Sequence, residues 1–400
     1  MKKPTVLLCW GYNRKNWIES FEALNDDFEF VYLFYMYPSE EQQVFTSNRR
    51  IFYTQFSSAR DLLNQVQPIK VIFMGLDALQ TIAINVQCKR SGIPTYFMTH
   101  GSSLAFDDYI DFRFKDRNLL KESLTTKLRS WLFTFKFLIK ALGFKYLRAL
   151  PVLMRFQMQK LKIHPLLAMK NNRTPLRIPS KYMVFSEEDI KFYIELDNCR
   201  REDFIVLGNL EITPAINMAK EKGITDGNYL LYVETPLSII ENNEFDIGKI
   251  SAQECNALIS SMNEYAIANE LKLIIKLHPY SYSNTFFIQH PNITYDKTNE
   301  KEILILNAHA VIFYNSSLAI PCLFFKPCCM FIIGAVDEFQ SAIRDLNICA
   351  VVDFSKLIND PATISFFTPG EKEKQAFVDK FIGKNADGNG LKRLKKALLD

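Results

Sequence analysis

Short apolar runs alternate with stretches of helical periodicity along most of this 400-residue chain. In the first hundred residues the runs TVLLCW, FEFVYLFYM, KVIFMG and PTYFMTHG are rich in β-branched and aromatic residues, the pattern of buried strands. Between the last two lies LDALQTIAINVQCKRSG, with apolar residues at helical spacing and a glycine as its stop signal. Alternation of this kind predicts a doubly wound parallel sheet. After a helix-rich interval, KYMVFSEEDIKFYIEL predicts a strand and then a helix capped at Ser186, with Glu187, Glu188 and Asp189 at its positive end. DFIVLGN adds a further strand. A second alternating set follows: YLLYVET, a helix over about 251–270, KLIIKLHP, AVIFYNSS, a short helix, CCMFIIG and ICAVVDF.

The polar stretch EITPAINMAKEKGITDGN places the boundary between the two sets near 210–228. The expected organisation is an N-terminal Rossmann-like domain over 1–210 with a helical insertion at 119–175, a second such domain over 228–385, and a basic helix at 386–400. Two doubly wound domains facing across a cleft would place ligands at the carboxyl ends of their strands.

Composition changes this picture little. Hydrophobic residues at 48% and charged residues at 23%, without low-complexity tracts or repeats, describe an ordinary globular chain. Eight cysteines, mostly within apolar runs and without paired C-x-x-C spacing, are expected to be buried, reduced thiols of a cytoplasmic protein. The apolar run at the N-terminus is short and meets GYNRK without a small-residue cleavage site, so it is expected to be the first strand rather than a signal peptide. No stretch has the apolar length needed to span a bilayer.

Candidate chemistry gathers at strand ends. LIIKLHPYSYS closes an apolar run with Lys276, His278 and Pro279, and the proline forbids further ladder bonding. In VIFYNSSLAIPCLFF, Asn315, Ser316 and Ser317 stand between a strand and an apolar helical segment. Hydroxyls with backbone N–H groups at a helix start form an anion site, though a serine there also serves as an ordinary N-cap. Lys276, His278, Ser316 and Ser317 are candidates to converge on one phosphate, His278 stabilising charge as it leaves. His164, His290 and His309 lack such context and are expected to be surface or structural residues.

KLHP, followed some forty residues later by a strand and SS, resembles the His-Pro and Ser-Ser motifs of bacterial GT-B glycosyltransferases that use CMP-activated sugars, among them sialyltransferases, polysialyltransferases and capsular Kdo transferases. A similar pattern occurs in CDP-glycerol glycerophosphotransferases. The resemblance implies that His278, Ser316 and Ser317 hold the nucleotide phosphate, and that YLLYVETPLS is similar to the Thr-x-Pro loop opening the donor domain, here Thr235 and Pro236. It also implies a general base after a strand of the first domain. In YFMTHGSS that is His100, where sialyl- and polysialyltransferases usually carry a carboxylate; Asp107 and Asp108 are the reserve, although a solvated turn explains them as well. No G-x-G-x-x-G, P-loop, H-E-x-x-H, zinc-spaced Cys/His cluster or D-x-D triplet is present, so no cofactor or metal is expected, and leaving-group charge would be met by protein donors.

Residues 119–175 hold twelve Lys or Arg against one acid, Glu122, whereas the whole chain is only +4. Trp131, Phe133, Phe135, Phe137 and Phe144 lie between these cations at roughly helical spacing. Either the segment contacts an anionic membrane surface, or it packs on the first domain with solvated lysines. No nucleic-acid module is apparent. The expected fold is therefore α/β and GT-B-like. The expected activity is transfer of a nonulosonic acid (sialic or pseudaminic type) or Kdo from a CMP-activated donor to a surface-polysaccharide or lipid-linked glycan, at the inner face of the cytoplasmic membrane. The alternatives are polyol-phosphate transfer from CDP-glycerol or CDP-ribitol, and a non-catalytic membrane-associated glycan-binding scaffold.

Overall fold

The computed structural model describes residues 3–9, 15–41, 44, 46–99, 124–237, 250–298, 300–383 and 386–400. These fall into two compact units, one of residues up to Glu211 together with Asn389–Asp400, the other of Ile212–Gly388. His100, Asp107 and Asp108 lie outside the described residues.

In the first unit the strands are β1 (Thr5–Cys9), β2 (Glu29–Leu33), β3 (Arg49–Ile51), β4 (Lys70–Phe73), β5 (Thr95–Met98), β6 (Lys181–Val184) and β7 (Phe204–Val206). They pair in parallel in the order β3-β2-β1-β4-β5-β6-β7. Both faces of this sheet are covered. Val6 and Leu8 enter one apolar cluster while Leu7 and Cys9 enter another, which is why these strands read as continuous apolar runs. The second unit contains β8 (Tyr229–Val233), β9 (Lys272–Lys276), β10 (Ile293–Asp296), β11 (Ala310–Phe313), β12 (Cys328–Ile332) and β13 (Ala350–Asp353), again parallel, in the order β10-β9-β8-β11-β12-β13. Both sheets therefore begin at a central strand, grow to one side, and reverse to the other.

Two strands escaped the sequence reading, β3 and β10. Each is an edge strand of its sheet, and unlike the edge strands β7 and β13 it is broken by polar residues (RRI and ITYD), so it carries little of the two-faced apolar signal. The helix signals match the structure closely. Helix Leu79–Ser91 stops at Gly92, whose φ of 70° is left-handed. Helix Glu187–Asp197 starts from a capping box between Ser186 and Asp189. All eight cysteines are free, and seven of them are buried.

The described residues of the basic insertion form the α-helices Leu124–Tyr146, Leu150–Lys160 and Pro165–Asn171, with a 3-10 turn at Leu147–Ala149. The first breaks at Gly143 (φ 52°), where Arg90 donates to the Ala141 carbonyl at 2.7 Å. Its aromatic residues divide between two environments. Phe137, Leu138, Ala141 and Leu142 are buried in the first unit's core and Phe133 is half-buried against them, whereas Trp131 is 46% exposed and Phe144 97%. Packing on the domain thus accounts for one face, and the fully buried Phe137 leaves the group expected to meet a membrane. No described helix is long and apolar enough to cross one. The C-terminal helix Gly390–Leu399, expected as a separate element, belongs to the first unit: Leu394, Ala397 and Leu398 join its core and Arg393 donates to the Leu207 carbonyl at 2.7 Å.

A buried ion pair, Arg177 with Asp197, also braces this unit. The Tyr182 hydroxyl donates to the other Asp197 oxygen at 2.6 Å.

Candidate functional site

Register places the candidate residues. Val233 is level with Lys276 on one side and with Phe313 on the other. Two residues further along each chain come Thr235, His278 and Asn315, at the carboxyl ends of three adjacent strands that lie about 4.8 Å apart. The Thr235 hydroxyl donates to the Asn315 carbonyl at 3.0 Å, tying two of these ends together. Because the chain runs from β8 to β9 on one side and later to β11 on the other, β8 and β11 flank the switch point of the sheet. Ligands bind doubly wound sheets at that crevice.

After β9 the chain turns sharply. Pro279 opens a single 3-10 turn, Pro279–Ser281, and His278 is its N-cap. The Tyr280 N–H donates to His278 Nδ1 at 3.3 Å, which makes Nδ1 the acceptor and puts the ring proton of the neutral imidazole on Nε2. His278 is half-buried. On the far side of the switch point, Ser316 is half-buried and accepts from the Leu318 N–H at 3.3 Å, and Ser317 is exposed. The helix that follows, Ala319–Phe325, has Leu318 at its N-cap with no side-chain cap, so neither serine is the ordinary cap that the sequence also allowed.

Two expected members are held elsewhere. The Lys276 ammonium pairs with Asp296 at 2.9 Å and donates to the Thr298 carbonyl at 2.6 Å. It faces the edge strand β10 rather than converging with His278. Burial pushes the Asp296 carboxyl up, but Lys276 and Thr298 outweigh this and hold it below the usual carboxylate range. The Asn315 amide is bound by Asp337, which caps helix Glu338–Asp345 and is itself buried. Gln340 from that helix donates to the Tyr314 carbonyl at 3.2 Å, so the Asn315 side chain joins a brace under the loop. Pro236 is buried and Pro279 exposed.

The residue that sequence reasoning missed is Glu234. It is 5% exposed at the end of β8, and its Oε2 accepts from the His278 N–H at 2.7 Å while Oε1 accepts from the Ser281 hydroxyl at 2.8 Å. Burial lifts its carboxyl to about 7, although both hydrogen bonds work in the opposite direction. The signal was available in YLLYVET, where an acid ends an apolar strand immediately before Thr235 and Pro236. Ser281, fully buried, was invisible because its role depends on Glu234.

The remaining described histidines have structural bonds. His164 caps helix Pro165–Asn171, His290 accepts from the Asn292 N–H at 3.1 Å, and His309 meets Asp226 at 2.9 Å. Among the described residues no group of three or more His, Cys, Asp or Glu side chains could hold a metal ion.

No family model and no curated protein matches this sequence. Solved structures do match in shape. The wall teichoic acid polymerase TagF aligns over 99% of this chain and 88% of its own, with a TM-score of 0.53 at 9% identity. The chain has the GT-B fold. Os79 from O. sativa, solved in complex with UDP, aligns over 98% of this chain and 99% of its own, with a TM-score of 0.50 at 8% identity. Identities this low establish a GT-B fold and nothing finer.

Proposed function

We propose that this chain is a GT-B glycosyltransferase whose donor is a cytidine-activated sugar, with the donor phosphate held between the His278 turn and the Ser316–Ser317 loop. One observation carries the reading: register brings Thr235, His278 and Asn315 to one level on three adjacent strand ends at the switch point. With Nδ1 held by Tyr280, the imidazole offers an Nε2–H donor, suited to an oxygen that gains charge as the glycosidic bond to phosphate breaks. The Ser316 and Ser317 hydroxyls supply further donors, and in this reading no metal is needed. A nonulosonic acid or Kdo carried on CMP is the first donor class. His100 is the proposed base that takes the acceptor hydroxyl's proton.

A second donor class is polyol phosphate carried on CDP. The fold-level match to a wall teichoic acid polymerase favours keeping it. Thermal-shift titration with CMP, CDP, UMP, UDP and GDP tests the site, because a ligand that binds only the folded state raises its melting temperature. Stabilisation by CMP or CDP that disappears in His278→Ala supports the reading, and preference for uridine or guanosine nucleotides overturns the donor class. The mass of the transferred group then separates sugar from polyol phosphate.

The proposed acceptor is a surface-polysaccharide or lipid-linked glycan, reached at an anionic membrane surface that residues 119–175 would contact. On helix Leu124–Tyr146 the Trp131 and Phe135 rings stack at 5.2 Å, with Trp131 exposed, next to exposed Leu132 and Lys136. Beyond the Gly143 break, Phe144, Lys145, Leu147 and Arg148 are all exposed. A cavity of about 400 Å³ beside the helix is lined by Phe56, Phe133, Lys136 and Lys140 among others, pairing cations with apolar walls. That combination fits phospholipid headgroups above acyl chains.

A further inference from the structure

We propose that Glu234 is the positioning residue of the donor site: one buried carboxylate that grips the His278 turn at two points and thereby sets where the imidazole stands. The inference rests on the reading of that turn as the phosphate site. Pro279 ends the β-ladder, so beyond Leu277 the chain has no strand partner to hold it in register. Glu234 replaces that partner. Its backbone N–H still donates to the Lys276 carbonyl at 3.0 Å, as a ladder residue does, while its side chain reaches forward to the His278 N–H and the Ser281 hydroxyl. The two contacts bracket the turn, one at its N-cap and one at its last residue.

The choice of an acid is informative. A buried carboxylate is costly unless a cation or hydrogen-bond donors compensate it, and an apolar residue of similar size would pack at this position without that cost. Lys276 on the neighbouring strand is occupied by Asp296. Among the described residues, Tyr232 on the same strand faces Glu234, its phenol pushed up by burial and then by the Glu234 charge, and His278 meets it through its backbone N–H. The carboxylate is therefore held by the turn it holds. The two carboxylate oxygens divide the work, Oε2 receiving the His278 N–H and Oε1 the Ser281 O–H.

The first experiment compares Glu234→Ala, Glu234→Gln and Ser281→Ala with wild type and His278→Ala, measuring CMP and CDP affinity by calorimetry and amide exchange at 278–282 without ligand. Glu234→Ala loses both bonds and is expected to weaken nucleotide binding by about tenfold or more, with faster exchange at the His278 amide. Glu234→Gln keeps a carbonyl acceptor and is expected to recover most of the affinity, while Ser281→Ala falls about two- to fivefold. In turnover assays the donor KM rises and the acceptor KM does not, a split that general loosening of the unit would not produce. Should Glu234→Ala fail to fold, the Gln and Ser281 variants decide, and both equal to wild type overturns the proposal. Nucleotide affinity retained in Glu234→Ala but lost in His278→Ala overturns the positioning role and leaves the donor site standing. If wild type binds neither nucleotide while exchange at the turn still accelerates in Glu234→Ala, the donor reading fails and Glu234 is reduced to a brace.

Discussion

Two buried acids, one in each unit, face opposite tasks. Asp197 sits opposite the Arg177 guanidinium and takes a hydrogen bond from Tyr182, all three groups being almost fully buried. Glu234 is buried as deeply, yet its donors are a backbone N–H and a serine hydroxyl of a turn at a strand end. The first is a closed charge pair between framework elements. The second is met, among the described residues, by hydrogen-bond donors of a turn at a place where a ligand phosphate is proposed to bind. A buried acid with its own cation argues for architecture, whereas one whose carboxyl stays near neutrality and holds a loop argues for a site.

The largest effect expected from this contrast is on stability. Arg177→Met strands the Asp197 charge and should cost about 3–5 kcal/mol in urea unfolding. Nucleotide response in the other unit should survive it, and its loss would show that the two regions are not independent. Next comes His278→Ala, expected to lower turnover by about 10²–10³ through lost leaving-group stabilisation. Its stability should change by less than about 1 kcal/mol. Near-normal turnover would sink the role assigned to the imidazole.

The pH dependence of stability sharpens the comparison further. Glu234 has its folded value raised above its unfolded one, so the folded state binds the proton more tightly. The stability this contributes is complete below about 4.5 and is lost as pH rises through about 7, a swing of about 3 kcal/mol. The difference in unfolding free energy between Glu234→Gln and wild type should therefore grow in favour of the variant across that window. A flat difference would mean that the carboxyl is not held near neutrality. A raised carboxyl makes the variant the more stable protein at neutral pH while most of its nucleotide affinity is kept.

The smallest effect concerns the membrane. Phe144→Ser removes a ring that is 97% exposed, so the fold should be indifferent. Partition onto vesicles containing phosphatidylglycerol should fall by about tenfold, the loss of one buried aromatic side chain. Equal binding to neutral and anionic vesicles, or none to either, would remove the membrane from the proposal.

Much of the architecture was legible in the chain because parallel strands covered on both faces leave unbroken apolar runs and helices announce their ends chemically. Ser186 and Gly92 are examples, each needed for a local reason that no distant residue alters. The strands β3 and β10 were not legible, since RRI and ITYD are short, polar-interrupted edge segments that owe their conformation to the neighbour they pair with. At the site, the positions of His278, Ser316 and Ser317 after strands followed from periodicity, and their adjacency did not: it required the strand order, which is a long-range property of the sheet. Lys276 shows the limit most clearly. It is two residues from His278 and shares its side of the strand, yet Asp296, twenty residues away in sequence and one strand away in space, decides where its charge is spent. By itself the sequence determined the strands other than β3 and β10 and where those end, because they are settled by local burial and backbone geometry. Only the tertiary structure decided which strand ends share a level and which buried acid holds the His278 turn, because hydrogen bonds between chain segments far apart in sequence exist only once the sheet has closed its register.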